Sequence, residues 1–202
     1  SIYDSGVGYT FNDWKVHGIT DIRKAIAWSV DVYFYTLGGG YDKIKGLGAE
    51  KVTQYFKTFL ADELTGIDLP GETEGFVPTP EWKQSARGEP WYIGDTYNLS
   101  IGQGDLSVTP IWLNSYIGSI ANNGKIMKPY IVKKITDSNG RIISETNSRV
   151  LTEIPFDQNT INVIREGMRQ TITDGTAGLL KDLPVPVAAK TGTAQTGSST
   201  TS

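Results

Sequence analysis

The order of apolar and polar positions predicts a helix-rich first part and a mixed second part. In "ITDIRKAIAWS", Thr20 is placed to cap a helix, Asp21 falls in its first turn, and Ile22, Ala25, Ile26 and Ser29 share one face. "GAEKVTQYFKTFL" sets Val52, Tyr55, Phe56, Phe59 and Leu60 on a stripe, and Gly66 follows to stop the element. From Asp68 to Gly104 Pro and Gly recur, which predicts mostly ordered loop with a short helix near Glu81 to Gln84. "TPIWLNSYIGSIANNG" reads as a helix capped by Thr109 with Pro110 in its first position. Its apolar residues are Leu113, Tyr116, Ile117 and Ile120, and Asn123-Gly124 terminates it. "YIVKKITDSNGRIISE" reads as two β runs around Asn139-Gly140, a projecting hairpin. "DQNTINVIREGMRQTIT" carries Ile161, Ile164, Met168 and Ile172 at helical spacing. Val185, Val187, Ala188 and Ala189 then predict a buried strand, and the polar end "GSSTTS" a surface loop or remnant.

Composition narrows the chemistry more than the fold. With 202 residues, 38% of them apolar, a core is affordable in size, and a net charge of -3 supplies no basic footprint for nucleic acid. No stretch has the run of about 18 apolar residues that spans a membrane. Cys is absent and His17 is the single histidine, so a thiol nucleophile and a His-rich metal site are both ruled out; no cofactor is expected. "VHGIT" reads as a loop feeding a helix, which gives His17 a structural or surface role. "GSIANNGK" superficially resembles a phosphate loop, but five residues separate its glycines where four are needed, and it follows a helix.

Two stretches carry candidate chemistry. "VAAKTGTAQTG" puts Lys190 and the hydroxyls of Thr191 and Thr193 behind an apolar run, where they offer donors for an anion such as a peptide carboxylate. Gly192 leaves room for a backbone or ligand to come close. The competing view is a plain strand end with a solvated lysine. In "AIAWSVDVYFYTLG" the helical period falters, so that one helix ends near Trp28 and another starts with Asp31 in its first turn. Ser29 then sits at the break, where its hydroxyl either caps the second helix or points into a cleft.

Together, Ser29-Val30-Asp31 and Lys190-Thr191-Gly192 resemble two of the three motifs of penicillin-recognising serine enzymes. "KVHGITDIRKAIAWSVDVYFYTLG", "TGIDLPGE", "GDTYNLSIGQGDLSVTP", "IANNGKIMKP" and "AAKTGTAQ" resemble the transpeptidase domain of class B penicillin-binding proteins of the elongation type, in that family's order. The resemblance implies an α/β fold of the α+β type: a helical subdomain plus part of an antiparallel sheet flanked by helices. The chain divides on this reading into a mostly helical part (1–128), a β arm (129–150), and a helix with the Lys-Thr-Gly strand (151–202). Two departures stand out. Asp31 replaces an Asn found in many relatives, and none of the 13 lysines has Ser three positions before it. The nucleophilic Ser-x-x-Lys is therefore expected outside this chain, as are the final strands and terminal helix.

The activity implied by the resemblance is acyl transfer from a D-Ala-D-Ala stem peptide, with β-lactams as mimics of the donor and cell-wall synthesis proteins as partners of the parent. Ser29 would relay a proton to the leaving nitrogen, Asp31 would orient that relay or the substrate amide, and Lys190 would supply a positive field. Thr191, Gly192 and Thr193 would bind the substrate, the Thr193 N–H forming half of an oxyanion hole. An extracytoplasmic location follows, without membrane contact by this segment. A β-lactam sensor, a serine β-lactamase and a non-catalytic interaction module are the alternatives on the same fold.

Overall fold

The computed structural model describes residues 1–4, 6 and 8–193. The "GSSTTS" end and residues 194–197 of the Lys-Thr-Gly stretch lie outside the described residues. In chain order the elements are β1 (Ile2–Asp4), β2 (Tyr9–Phe11), α1 (Ile22–Trp28), α2 (Asp31–Gly39), α3 (Ala49–Thr58), α4 (Pro80–Arg87), α5 (Ile93–Ser100) and α6 (Pro110–Ala121). They continue with β3 (Lys125–Met127), β4 (Lys134–Thr136), β5 (Ile142–Glu145), β6 (Val150–Glu153), α7 (Gln158–Asp174) and a 3-10 turn at Gly178–Leu180. The described strands form antiparallel pairs, β1 with β2, β3 with β6 and β4 with β5. This is the α+β class that the sequence implies. The chain divides into two compact units, one of residues 1–52, 80–105 and 162–202, the other of residues 53–79 and 106–161.

In the first unit α2 packs closely on α5. A Cβ added to Gly38 would lie 1.7 Å from the Ser100 hydroxyl oxygen, and one added to Gly39 would lie 2.4 Å from the Tyr97 ring. Only glycine allows that approach. Ile2, Tyr35 and Tyr97 form the adjoining core, and Phe11 meets both tyrosine rings edge-on at 5.6 and 5.0 Å. The buried Tyr97 hydroxyl donates to the Gly40 carbonyl at 2.8 Å, which satisfies its polar end. Gly167 of α7 faces Ile26 of α1 with 2.9 Å to its Cβ position, a second contact that tolerates no side chain.

The second unit is built on Ala61, Val77 and Trp112. The Trp112 indole donates to the Phe59 carbonyl at 2.7 Å and stacks on Tyr116, with centroids 5.3 Å apart and planes 6° apart. "TGIDLPGE" folds as a carboxylate-stitched loop: Glu72 accepts from the Thr65 and Gly66 N–H groups, and Asp68 from those of Ile131 and Val132. These bonds hold the Asp68 and Glu72 carboxyls below their usual pKa; for Glu72, burial is the largest influence and works against them.

Several expectations are corrected. Asp21, not Thr20, caps α1, accepting from Lys24 N–H. α3 ends at Thr58, and Leu60 adopts a left-handed φ of 59° well before Gly66. The predicted loop between Asp68 and Gly104 contains α5. Its Asp95 accepts from the N–H of Tyr92, the capping residue, so tertiary packing and a cap override the glycine at position 94. α6 has the predicted start but a different inner face. Trp112, Ser115, Ser119 and Ile120 are buried, whereas Leu113 and Ile117 are exposed, because docking of the Trp112 indole selects one side of a helix that is apolar on several. No strand is assigned to residues 184–193, and Val185 is 60% exposed. A strand needs a ladder partner, and none of the described strands pairs with this segment.

Candidate active site

The junction of α1 and α2 is the turn that the faltering period predicts. Ser29 is the C-cap of α1 with φ 50° and ψ 55°, a left-handed conformation that disfavours a residue with a Cβ by about 1–3 kcal/mol. Its N–H and that of Val30 return to the Ile26 and Ala25 carbonyls at 3.4 and 3.0 Å, closing the last turn of α1. The residue that caps α2 is Val30, which has no side-chain oxygen to offer. The Ser29 hydroxyl is therefore not a cap. It turns to the Lys190 segment, accepting from the ammonium at 2.5 Å and lying 3.3 Å from the Thr191 hydroxyl.

Residues 187–193 are held at intervals. Arg169 donates to the Val187 carbonyl at 2.7 Å, Ala189 N–H donates to the Met168 carbonyl at 3.0 Å, and Gln103 Nε2 donates to the Thr193 carbonyl at 2.8 Å. Lys190 also donates to the Thr191 carbonyl at 2.9 Å. The Thr191 hydroxyl continues to Thr176 at 2.8 Å, and Thr176 is fixed by its own N–H bond to the Ala27 carbonyl at 3.1 Å. A chain of polar groups thus runs Lys190, Ser29, Thr191, Thr176. A Cβ on Gly192 would meet no protein atom within 4 Å, so packing within the protein does not demand glycine there.

The charges are mutually adjusted. Burial raises the Asp31 pKa, the Asp13 carboxylate raises it further, and Lys190 and His17 oppose them. Lys190 keeps solvent access along its side chain, yet the protein around its ammonium lowers its pKa, with Asp31 opposing. An ammonium with a depressed pKa on a serine hydroxyl is suited to moving a proton through that hydroxyl, which has both a donor and an acceptor neighbour. Among the described residues no group of three or more His, Asp or Glu is placed to hold a metal.

The sequence matches the penicillin binding protein transpeptidase domain over residues 2–202. The chain belongs to that family. It is 33% identical over 192 residues to the peptidoglycan D,D-transpeptidase MrdA of Acinetobacter baumannii, covering 94% of this chain and 28% of that protein. The fold matches the penicillin-binding protein PBP2 of Helicobacter pylori solved in complex with MreC, with a TM-score of 0.73, 33% identity, and coverage of 92% of this chain and 33% of that one. It also matches Pseudomonas aeruginosa PBP2 in complex with WCK 5153, with a TM-score of 0.76, 29% identity, and coverage of 93% and 41%. The chain thus spans about 28% of the length of that curated relative.

Of the residues singled out in the sequence, Ser29, Lys190 and Thr191 meet directly in this penicillin-binding transpeptidase fold, and Asp31 acts on Lys190 through its charge. Thr193 is attached through its carbonyl to Gln103. Sequence reasoning missed Thr176 and Gln103. Gln103 lies inside "SIGQGDLSVTP", a segment quoted only for its resemblance, and Thr176 follows the last apolar position of the α7 pattern with no motif of its own.

Proposed function

We propose that the chain forms the recognition and proton-relay part of a peptidoglycan D,D-transpeptidase, whose Ser-x-x-Lys nucleophile is supplied by sequence beyond these 202 residues. The observation that carries this reading is the 2.5 Å bond from the Lys190 ammonium to a serine hydroxyl held in a left-handed turn. The incoming serine gives its proton to the neutral lysine of its own motif as it attacks the penultimate carbonyl of a D-Ala-D-Ala stem, and its oxygen–carbon bond forms as the carbonyl becomes an oxyanion. Collapse breaks the amide bond to D-alanine, and Ser29 delivers the proton that the leaving nitrogen takes up. An amine of a neighbouring stem then accepts the acyl group. Asp31 steadies Lys190 and the relay. The positive field of Lys190 also keeps the motif lysine beside the nucleophile neutral, since like charges disfavour protonation.

Thr191, Gly192 and Thr193 form the edge on which the donor lies, with the Thr193 N–H directed to the oxyanion. β-Lactams occupy the same edge as donor mimics. The protein works outside the cytoplasm and with cell-wall synthesis proteins, a reading supported by the Helicobacter pylori PBP2–MreC complex among its structural neighbours. Among the described residues, no helix is long and apolar enough to cross a membrane.

Intact-mass spectrometry after incubation with fluorescent penicillin tests the proposal. The 202-residue chain should carry no adduct, and a protein extended to include a Ser-x-x-Lys should gain one adduct on that serine. Failure of the extended, folded protein to react would favour a non-catalytic module, and an adduct on the short chain would place the nucleophile within these residues, with Ser29 the first to map.

A further inference from the structure

The Ser29 turn is also gripped from outside by residues 13–17, whose contacts the proposed chemistry does not use. The Asp13 and His17 side chains are only 7% and 5% exposed. Asp13 Oδ1 accepts the Trp14 N–H at 2.9 Å and lies 3.0 Å from His17 Nε2, while Oδ2 accepts the Val32 N–H at 3.1 Å. Val32 is the second residue of α2, whose own cap, Val30, has no acceptor side chain. Asp13 therefore supplies, from 19 residues away, the acceptor that the helix start lacks locally.

The next residue holds the other side of the turn. The Trp14 indole N–H is shared between the Trp28 and Ser29 carbonyls, 3.2 Å from each, and its ring stacks on Trp28 at 6.3 Å. Lys24 of α1 donates to the His17 and Ile19 carbonyls at 2.6 and 2.7 Å, tying the gripping segment back to the helix it grips. A non-glycine residue persists in the left-handed region only where its surroundings over-determine it, and these contacts do so for Ser29.

We propose that Asp13 and Trp14 are positioning residues for the Ser29–Asp31 turn: one dipeptide holds the backbone on both sides of the turn and so sets the angle at which the Ser29 hydroxyl meets Lys190. The inference rests on the reading of Ser29 and Lys190 as site residues. Asp13 also faces Asp31 electrostatically, together with Lys190 and His17, but its hold on the turn is the hydrogen bond to Val32. Misplacement of a reacting group by about 1 Å is enough to lower a rate by about a hundredfold, and that is the kind of loss a loosened turn would produce.

The test is the acylation of the full-length protein by fluorescent penicillin, measured against drug concentration so that the limiting rate separates from half-saturation. Asp13→Ala should lower the limiting rate at least about tenfold with little change in half-saturation, and Asp13→Asn, which keeps an acceptor for Val32 N–H, should restore most of the loss. Trp14→Phe keeps a ring against Trp28 and removes the shared donor; it should lower the limiting rate several-fold in a protein that melts normally. If Asp13→Ala does not fold, Trp14→Phe decides. A limiting rate unchanged in Trp14→Phe, or Asp13→Asn falling as far as a folded Asp13→Ala, overturns the proposal. A Lys190→Ala control that acylates normally would instead overturn the site reading on which it rests.

Discussion

The β4–β5 hairpin and residues 187–193 are held in opposite ways. The hairpin closes on itself. Gly140 N–H donates to the Asp137 carbonyl at 3.1 Å, Asp137 N–H to the Arg141 carbonyl at 2.9 Å, and the Asp137 carboxylate accepts from Asn139 and Arg141. Every one of those partners lies within four residues. The Lys190 segment takes its contacts from Ser29, Gln103, Met168 and Arg169, and none of these is a neighbour in sequence. A locally closed ribbon keeps its shape whatever happens elsewhere in the chain. A segment tied at distant points has its shape set by the rest of its unit, so a change at any tie is felt at Lys190.

The comparison is broken most directly at Lys190. In the full-length protein Lys190→Ala should lower the second-order rate of penicillin acylation by about a hundredfold or more, the scale of losing one electrostatic stabiliser of a transition state. A change under about threefold would remove Lys190 from the site. Ser29→Ala comes next. Loss of a proton relay should cost one or more orders of magnitude in acylation, and the melting temperature should move little, because no side-chain cap is lost with it. Normal acylation with a lowered melting temperature would return Ser29 to a structural role.

A smaller effect is expected from loosening one tie alone. Gln103→Ala frees the Thr193 carbonyl and should slow acylation several-fold while the other ties hold, and a rate equal to that of the unaltered protein would show that the segment keeps its shape without it. The smallest effect on chemistry belongs to the hairpin. Gly140 has φ 79°, so Gly140→Ala should lower stability by about 1 kcal/mol, read by denaturant titration, and leave acylation unchanged. Altered acylation there would end the contrast between the two regions.

Legibility follows the same division. The hairpin, the start of α6 and the apolar positions of α7 depend on contacts within a few residues, and each is found where the pattern predicts it. The hairpin turn differs in one detail. Only Gly140, not Asn139, has a positive φ, since the Asp137 carboxylate organises the loop and removes the need for two left-handed residues. The break between α1 and α2 was legible from the faltering period, but the direction of the Ser29 hydroxyl was not, because a cap and a site residue share the same local sequence. α5 was lost among its Gly and Pro neighbours; its inner residues Thr96, Tyr97 and Leu99 become an inner face only once Gly38 and Gly39 of α2 admit them.

By itself the sequence determined the family, the helix and hairpin periods, and the cation and hydroxyls able to offer donors to a peptide carboxylate. These are properties of spacing and side-chain chemistry. The tertiary structure alone decided that Ser29 faces Lys190 rather than α2, that Thr176 and Gln103 join them, that Asp13 caps a helix 19 residues away, and that residues 187–193 are tied rather than laddered. Each of these is a hydrogen bond between groups distant in sequence. Local propensity carries no information about where a donor finds its acceptor when the partner is brought up by another element, because that pairing is settled only when the elements pack.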